Sequence, residues 1–322
     1  MFQFLVVPLC VILVTFFSLP VEVMADYRSG LKLYKEAKYE AAIAEFRSEA
    51  DTGQPDAQFM LGLMYSLGRG TPRNHKEALK WYRLSAKQDN ERAILNLGNA
   101  YRDGRGVTRN YAQAVKWYRQ AAEQGSAKAQ LNLAFRYKNG QGVEKDVKQS
   151  FAWLEKSAEQ GYRNAQYNVG KYYSLGLGVK RDHKIALEWY LKAAEKGFAP
   201  AIYNVAKSYK NGKGVAKDLR TSAGWYLKAA KKGHTRAQYN FARYLTETGA
   251  NRDYKKAAPW YLKAGHKGNK LSGVKLGFMY EKGLGVDEDP VMALAWYLRA
   301  GKRGAKSAKR LSGSMSKKKV AK

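Results

Sequence analysis

The chain contains a single cysteine among its 322 residues, and this residue, Cys10, lies inside an apolar run near the start of the sequence. Histidine is also scarce, with only four residues, and no two of them stand at a spacing typical of metal ligands. These shortages argue against a disulfide framework, thiol chemistry and a zinc site. The sequence therefore predicts no metal ion and no cofactor.

Acidic residues are few as well, since 27 Asp and Glu stand against 58 Lys and Arg, which gives a formal net charge of +31. Three of the glutamates, Glu123, Glu159 and Glu195, recur at 36-residue steps, so they mark a repeated position and not a catalytic pair of carboxylates. A charge this far from zero does not select a fold, but it favours anionic partners. An apolar fraction of 45% and 23 tyrosines are too high for a disordered chain.

The longest apolar run, Leu5–Leu19, is followed by Pro20 and then by Val23 and Ala25 in the small-residue pattern of a signal-peptidase site. We predict that residues 1–25 form a secretory signal cut after Ala25, which leaves no transmembrane segment in the mature chain. The segment MFQF before the run carries no Lys or Arg, so an uncleaved membrane anchor is the alternative. The run is, however, shorter than the roughly 20 residues that span a bilayer.

Tryptophan recurs with a fixed period, because the spacings between the seven tryptophans are 36, 36, 36, 36, 35 and 36 residues. The tryptophans are Trp81, Trp117, Trp153, Trp189, Trp225, Trp260 and Trp296. Such a period is typical of a repeat array whose single units are too small to bury their own core. A pair of glycines, such as Gly212 and Gly214, keeps the same register and fails only in the sixth unit, where Gly249 stands alone.

Each repeat is predicted to form two helices joined by a glycine-containing turn. The first glycine of the pair fits the left-handed position just past a helix. An Asn or Asp seven residues before each Trp fits the N-cap of the second helix. These N-cap residues are Asn74, Asn110, Asp146, Asp182, Asp218, Asp253 and Asp289. The stretch NGKG at 211–214 is thus a helix–helix turn and not a phosphate-binding loop, because no strand precedes it and no Ser or Thr follows its lysine.

The repeated motif A-x-A-Q-x-N-[LV]-[GA]-x-x-Y-x-x-G-x-G-V-x-x-D…A…W-Y-x-K-A-A-x-x-G, seen best at Arg163–Phe198, resembles the Sel1-like repeat family, a relative of the tetratricopeptide repeat. The resemblance implies an all-α fold, namely an α/α solenoid of helical hairpins wound as a superhelix. It also implies protein–protein adaptor work, which in bacteria extends to envelope regulation, exopolysaccharide export and host-cell entry.

The predicted organisation has four parts: a signal peptide, a tetratricopeptide-like capping unit, seven repeats and a C-terminal capping helix with a basic, disordered tail. Their bounds are 1–25, 26–54, 55–304 and 305–322. The seven repeats are 55–90, 91–126, 127–162, 163–198, 199–234, 235–269 and 270–304.

The aromatic residues are predicted to pack as the core between helices. Each Trp follows a small residue by three positions, as Trp189 follows Ala186, which gives a narrow apolar stripe at helical spacing. A second set closes the first helices: Tyr65, Tyr101, Tyr137, Tyr173, Tyr209 and Tyr280, with Leu245 in the sixth repeat. No single hairpin buries a Trp and a Tyr alone, whereas stacked neighbours do.

No catalytic constellation is evident in the sequence. His75 and His183 each follow an N-cap, and His234 and His266 stand at or near the ends of second helices, so we expect four exposed histidines. The pattern Ser-x-x-Lys occurs at Ser272–Lys275, but the companion motifs Ser-Asp-Asn and Lys-Thr-Gly are absent. A cell-wall or β-lactam-acting enzyme therefore ranks last among the functions considered.

A partner-binding surface is predicted on the first helices, which line the concave face of related helical-hairpin arrays. An asparagine recurs there once per repeat, and the position three residues later, on the same helical face, is basic in repeats four to six. The predicted binding residues are Asn96, Asn99, Asn132, Asn168, Lys171, Asn204, Lys207, Lys210, Asn240 and Arg243. The alternative is that the asparagines bond neighbouring backbones and the lysines are merely solvated.

The sequence thus predicts an exported, non-enzymatic scaffold whose partner is an acidic or extended protein. The alternative is a binder of an anionic envelope polymer, either polysaccharide or lipid head groups, through the basic concave face. Residues 301–322 add further Lys and Arg without any acidic residue. Basic clusters also attract nucleic acid, but export argues against that partner.

Overall fold

The computed structural model describes residues 27–247 and 252–302. All regular structure in these ranges is α-helical, which confirms the predicted all-α fold. The helices are α1 Tyr27–Lys35, α2 Tyr39–Asp51, α3 Pro55–Leu67, α4 His75–Ala86, α5 Glu91–Asp103, α6 Tyr111–Glu123, α7 Ala127–Asn139, α8 Val147–Glu159, α9 Arg163–Leu175, α10 His183–Glu195, α11 Ala199–Asn211, α12 Leu219–Lys231, α13 Thr235–Glu247, α14 Tyr254–His266, α15 Lys270–Lys282 and α16 Pro290–Lys302.

The chain divides into two compact units, one ending at Arg109 and containing α1–α5, the other beginning at Asn110 and containing α6–α16. Within each unit the helices pair as hairpins, such as α3 with α4 and α9 with α10. The second helix of a hairpin then packs on the first helix of the next, as α10 does on α11. Packing between sequence neighbours is the arrangement expected of a solenoid.

The predicted helix ends are confirmed. Asp182 is the N-cap of α10, and its carboxylate accepts the N–H groups of Lys184 at 2.7 Å and Ile185 at 3.0 Å. The same bond is made by Asn74, Asn110, Asp146, Asp218, Asp253 and Asp289. At the other end of a first helix, Gly212 has a φ of 66° and its N–H donates to the Ser208 carbonyl. The NGKG stretch is therefore the turn between α11 and α12.

The second glycine of each pair contacts the preceding repeat. Gly214 has a φ of 73°, and a Cβ there would lie 2.1 Å from the backbone oxygen of His183. The same approach to the start of the preceding second helix is made by Gly70, Gly106, Gly142, Gly178 and Gly285. Only glycine fits this position, because any other residue would be strained and would also collide with backbone.

The residue that follows each tryptophan is buried. Tyr118, Tyr261 and Tyr297 are fully buried, and Tyr82, Leu154, Tyr190 and Tyr226 are nearly so. The ring of Tyr190 packs on Gly170 of α9, where a Cβ would lie 2.7 Å from the ring. A small residue on the first helix therefore makes room for a large ring on the second.

The prediction that the tryptophans themselves form the core is correct only for Trp296, which is buried. The other six are half-buried, and among them Trp225 and Trp260 pack against the edge of the core formed by α10–α13. The residue after each Trp lies about 100° further round the helix and points into its own hairpin, whereas the Trp lies at the border between repeats. The tyrosines that close the first helices are half-buried too.

Polar side chains also join successive repeats. Gln166 Nε2 donates to the Ala158 carbonyl at 3.3 Å, which ties α9 to the preceding helix α8. Lys267 Nζ donates to the Gly233 carbonyl at 2.9 Å. Lys196 Nζ makes the equivalent bond to the Gly161 carbonyl, which lies one repeat earlier. Part of the large positive charge is therefore used to hold repeats together.

The predicted signal at 1–25, Cys10, Gly249 and the predicted capping helix and tail at 305–322 lie outside the described residues. Among the helices of the described ranges, none has the length and apolar character needed to traverse a lipid bilayer.

Candidate binding surface on the first helices

Helices α9, α10 and α11 and the turn after α11 line a cavity of about 270 Å³, called here the α9–α11 cavity. Its described lining is Tyr167, Lys171, Ser174, Leu175, His183, Ala186, Tyr190, Asn204, Lys207, Ser208, Asn211 and Lys213. The structure thus brings together three predicted binding residues, Lys171, Asn204 and Lys207, from two consecutive first helices.

Positive charge in this cavity is unbalanced. Its described lining contains Lys171, Lys207, Lys213 and His183, but no Asp or Glu. Burial lowers the pKa of the Lys171 ammonium group, and the nearby charge of Lys138 lowers that pKa further. Burial is the main cause of this direction, and no carboxylate acts against it.

Neutral donors stand beside the cations. The Tyr190 hydroxyl is hydrogen-bonded to the side chains of Ser174 and Asn204, and Asn204 also bonds the Tyr167 hydroxyl. Burial raises the pKa of Tyr190 to about 12, so this hydroxyl keeps its proton at neutral pH. The cavity therefore combines polar hydroxyl groups with positive charge, a combination that suits an oxyanion.

A second cavity of about 200 Å³, the α11–α13 cavity, lies one repeat further along. Three predicted binding residues line it: Lys210, Asn240 and Arg243. Burial lowers the pKa of Lys210, and Arg243 and Lys207 act in the same direction while Glu247 opposes them. The basic residues of α11 and α13 thus interact across the boundary between repeats five and six.

Glu247 neutralises part of the charge in the α11–α13 cavity. Its Oε2 lies 3.5 Å from Arg243 Nε, and its Oε1 lies 2.9 Å from Lys275 Nζ. It also lines a third cavity, of about 350 Å³, between α13 and α15. The sequence pattern predicted the same binding role for Arg243, Lys171 and Lys207. Arg243 differs from the two lysines because its charge is partly neutralised by Glu247.

Two asparagines of the first helices donate to backbone carbonyls of their own helix, and a third lies near a side chain of the preceding first helix. Asn96 Nδ2 donates to the Arg92 carbonyl at 3.0 Å, and Asn168 Nδ2 donates to the Asn164 carbonyl at 2.7 Å, both within their own helix. Asn240 Nδ2 lies 3.5 Å from a hydroxyl oxygen, that of Tyr203 on the preceding first helix.

The remaining predicted residues lie elsewhere. Asn96 and Asn99 belong to the first unit, where they line a smaller cavity of about 30 Å³ together with His75 and Arg105. Asn132 is half-buried on α7 and lines none of the cavities described above.

The prediction of four exposed histidines holds only for His266. His75 and His183 are half-buried and line equivalent cavities, one in each unit. His234 is half-buried as well and precedes α13, where its Nδ1 accepts the Ala237 N–H at 3.2 Å. Its ring stacks on Tyr203 with a centroid distance of 4.5 Å. Sequence position alone did not reveal that these rings face inward.

Three functional candidates were missed from the sequence: His183, Tyr190 and Lys213. The repeat period does contain a signal for the first two, because His75 and Tyr82 occupy the same positions three repeats earlier. Lys213 stands between the two glycines of its turn, a place taken by different residues in the sister turns. Within the described residues, no group of three or more His, Cys, Asp or Glu side chains is placed to hold a metal ion.

Comparison with known proteins identifies the repeat. The family model of the Sel1 repeat matches residues 55–90, 92–126, 127–162, 163–198, 199–234, 235–269 and 274–304. None of the curated proteins matches the chain significantly.

Two solved structures resemble most of the chain. One is c5321, described as a protective antigen of uropathogenic Escherichia coli strains with an SLR fold, at 32% identity and a TM-score of 0.78. The match covers 90% of this chain but only 64% of that protein. The other is a Sel1 repeat protein from Oxalobacter formigenes, at 30% identity and a TM-score of 0.72, covering 90% of this chain and 87% of that one. With seven matched repeats and these two relatives, the chain belongs to the Sel1 repeat family.

Proposed function

We propose that this protein is a non-enzymatic scaffold that binds an acidic, extended segment of a protein partner across the first helices of repeats four to six. Sel1 repeats suit protein interaction, and an array of parallel first helices offers an extended surface. The observation that supports an acidic partner most directly is the α9–α11 cavity, whose described lining has four basic side chains and no carboxylate.

Preorganisation of the basic side chains supports the same proposal. Lys171 Nζ lies 5.8 Å from the centre of the Tyr167 ring, and the Arg243 guanidinium lies 6.0 Å from that of Tyr239. A cation held over an aromatic ring has lost part of its rotamer freedom before binding, so less entropy is lost when the partner arrives.

The proposal includes export to the cell envelope or beyond, where the protein acts in envelope regulation or host interaction. The amino-terminal sequence supports this through its apolar run and the Val23-x-Ala25 pattern. The relative from uropathogenic Escherichia coli is described as a protective antigen, which is consistent with an exported role. An uncleaved amino-terminal anchor would serve the same location.

Charge on the second helices favours a second candidate, binding to an anionic polysaccharide or to lipid head groups. Lys192 Nζ lies 4.1 Å above the Trp189 ring, and Lys228 Nζ lies 4.2 Å above Trp225. Equivalent pairs are Lys156 with Trp153, Lys263 with Trp260 and Arg299 with Trp296. These cations on the second helices would let a long polyanion bind without using the first-helix cavities.

Capture from envelope extract at low and high salt separates the two candidates. The bait is the chain itself, compared with a variant carrying Lys171→Glu and Lys207→Glu and with a charge-matched control carrying Lys148→Glu and Lys184→Glu. Lys148 and Lys184 are exposed and line none of the cavities described above. A defined protein retained at high salt and lost only with the first variant supports the scaffold. Glycan or lipid that is lost with salt and equally from both variants supports the polymer binder.

A further inference from the structure

The cavity between successive first helices recurs with the repeat, and the version in the first unit differs in charge from the α9–α11 cavity. In the first unit, Ser66, His75, Tyr82, Asn96 and Asn99 line a cavity of about 30 Å³. In the second unit, the α9–α11 cavity of about 270 Å³ has Ser174, His183, Tyr190 and Asn204 at the first four of these positions and Lys207 at the fifth. The polar frame is therefore kept while the space and the positive charge increase.

Two further lysines reinforce the difference. Lys171 lines the α9–α11 cavity, and the equivalent position in the first unit is Leu63. Lys213 replaces Arg105 at the turn, so the second-unit cavity has three lysines and a histidine where the first has one arginine and a histidine. Three lysine side chains thus line one cavity whose described lining has no carboxylate to balance their charge.

We propose that the α9–α11 cavity binds a compact oxyanion of the phosphate or sulfate type, either free or as a monoester group carried by a larger ligand. This inference rests on the proposed function in one respect. If the partner binds this surface, the oxyanion is the group of the partner that the cavity recognises.

The chemistry of the lining favours a tetrahedral oxyanion over a single carboxylate. Lysine ammonium groups bind phosphate as point charges, and three of them contribute here without an arginine among the described lining residues. Tyr190 adds a neutral O–H donor. A group with four oxygens and about two negative charges accepts from all of these, whereas a carboxylate leaves most of the donors and charges unpaired.

The size of the cavity agrees with this ligand. Its volume of about 270 Å³ lies just below the roughly 300–1,000 Å³ range of drug-sized ligand sites. The space suits a small charged group with part of an attached chain.

Histidine NMR gives a site-resolved test, because the chain has only four histidines. The full chain, without a polyhistidine tag, is labelled at its histidine rings and titrated at constant ionic strength with inorganic phosphate, sulfate or acetate. We expect phosphate and sulfate to move the His183 signals saturably, with acetate much weaker. His75, in the equivalent cavity of the first unit, and His234 and His266 should not respond. Glycerol phosphate then shows whether an ester enters or only the free ion.

Two variants and one control complete the test. Lys171→Gln and Lys207→Gln should each weaken phosphate binding by about tenfold, since each removes a charge-assisted contact. Lys184→Gln, next to His183 in sequence but outside the cavity, should leave it unchanged. Equal losses in all three variants, or parallel responses of His75 and His183, would show diffuse attraction and overturn the proposal. This result is separate from partner capture, because a scaffold that binds through other contacts would still capture its partner while phosphate binding fails.

Discussion

The hydroxyl of Tyr261 lies 3.0 Å from Thr246 Oγ1, inside the hairpin formed by α13 and α14. The Tyr261 side chain is fully buried, and the Tyr239 ring lies 6.0 Å from it. Trp260, the preceding residue, is only half-buried and contacts Phe241 edge to face at 5.7 Å. Two large aromatic residues side by side on one helix thus have different roles in stability.

We expect Tyr261→Ala to destabilise the protein by about 3–5 kcal/mol, because it leaves a cavity in the middle of a hairpin. Trp260→Ala should cost clearly less, because part of that ring is already solvated. Tyr261→Phe removes only the hydroxyl contact with Thr246 and should cost about 1 kcal/mol. Chemical denaturation of the three variants measures the order. A larger loss from Trp260→Ala than from Tyr261→Ala would contradict the packing described.

The Tyr261→Ala variant also tests whether the array melts locally. Since helices pack mainly on their sequence neighbours, protection of amides in α13–α15 should fall while amides in α7 and α8 stay protected. Hydrogen exchange followed by mass spectrometry resolves the segments. Uniform loss of protection along the second unit would instead show that it unfolds as one cooperative body.

The sequence predicted the repeat, its helix ends and its fold class because these depend on local chemistry repeated seven times. A left-handed glycine such as Gly212 and an N-cap such as Asp218 are set by the backbone itself. Which aromatic residue is buried was harder to predict, because Trp and the Tyr after it recur with the same period. Their separation depends on how far each residue is rotated about the helix axis relative to the partner helix, which periodicity alone does not give.

The paired glycines allow a prediction with a matched control. Gly212 and Gly214 have similar φ values of 66° and 73°, so an alanine at either site costs about 1–2 kcal/mol of backbone strain. A Cβ on Gly214 also meets the His183 backbone at 2.1 Å, whereas the closest contact at Gly212 is 3.5 Å from Lys217 Cβ. Gly214→Ala should therefore destabilise by about 1–3 kcal/mol more than Gly212→Ala. Equal melting temperatures of the two variants would argue against close contact between repeats at this turn.

The environment of His234 predicts that the free energy of unfolding depends on pH. Burial lowers its pKa, with a further contribution from Arg236, and its Nδ1 accepts the Ala237 N–H only when unprotonated. The folded state then binds fewer protons at His234 than the unfolded state does. The stabilisation by neutral His234 is therefore fully present above the ordinary histidine pKa near 6.5, and it decreases as the pH falls toward the lowered pKa of the folded state.

The size of the effect should be about 1 kcal/mol or less, comparable to an N-cap. His234→Asn keeps a capping oxygen, as Asn269 does at the equivalent position before α15, and removes the titration. Urea unfolding between pH 7.5 and pH 5 should therefore show a smaller decrease in the free energy of unfolding for the variant than for the wild type. If the two curves run parallel, His234 does not titrate in this way.

The candidate surface could be predicted only in outline. The basic positions of α9, α11 and α13 follow from the repeat, so Lys171, Lys207 and Arg243 were identified together. Arg243 differs from the two lysines because it forms an ion pair with Glu247. Glu247 lies in the sixth repeat, where a deletion interrupts the pattern. Lys213 joins the cavity from a turn whose middle residue varies between repeats, and no period predicts such a contribution.

Binding through a fixed surface is distinguished from bulk attraction by three variants that each lower the net charge by four. The first carries Lys171→Glu and Lys207→Glu, the second carries Lys148→Glu and Lys184→Glu, and the third lacks the residues after Ser312, which include Lys317, Lys318, Lys319 and Lys322.

We expect the first variant to weaken partner affinity by at least about 100-fold, because each reversal removes a charge-assisted contact and adds repulsion in a partly buried site. The other two should change affinity by no more than a few fold, through long-range attraction that salt screens. Arg243→Glu alone should fall between them, since Glu247 already neutralises part of that charge. Affinities for the captured partner at physiological salt, with circular dichroism as a check on folding, decide the matter. Similar losses in all three four-charge variants, vanishing together at high salt, would mean that net charge and not the first-helix surface governs binding.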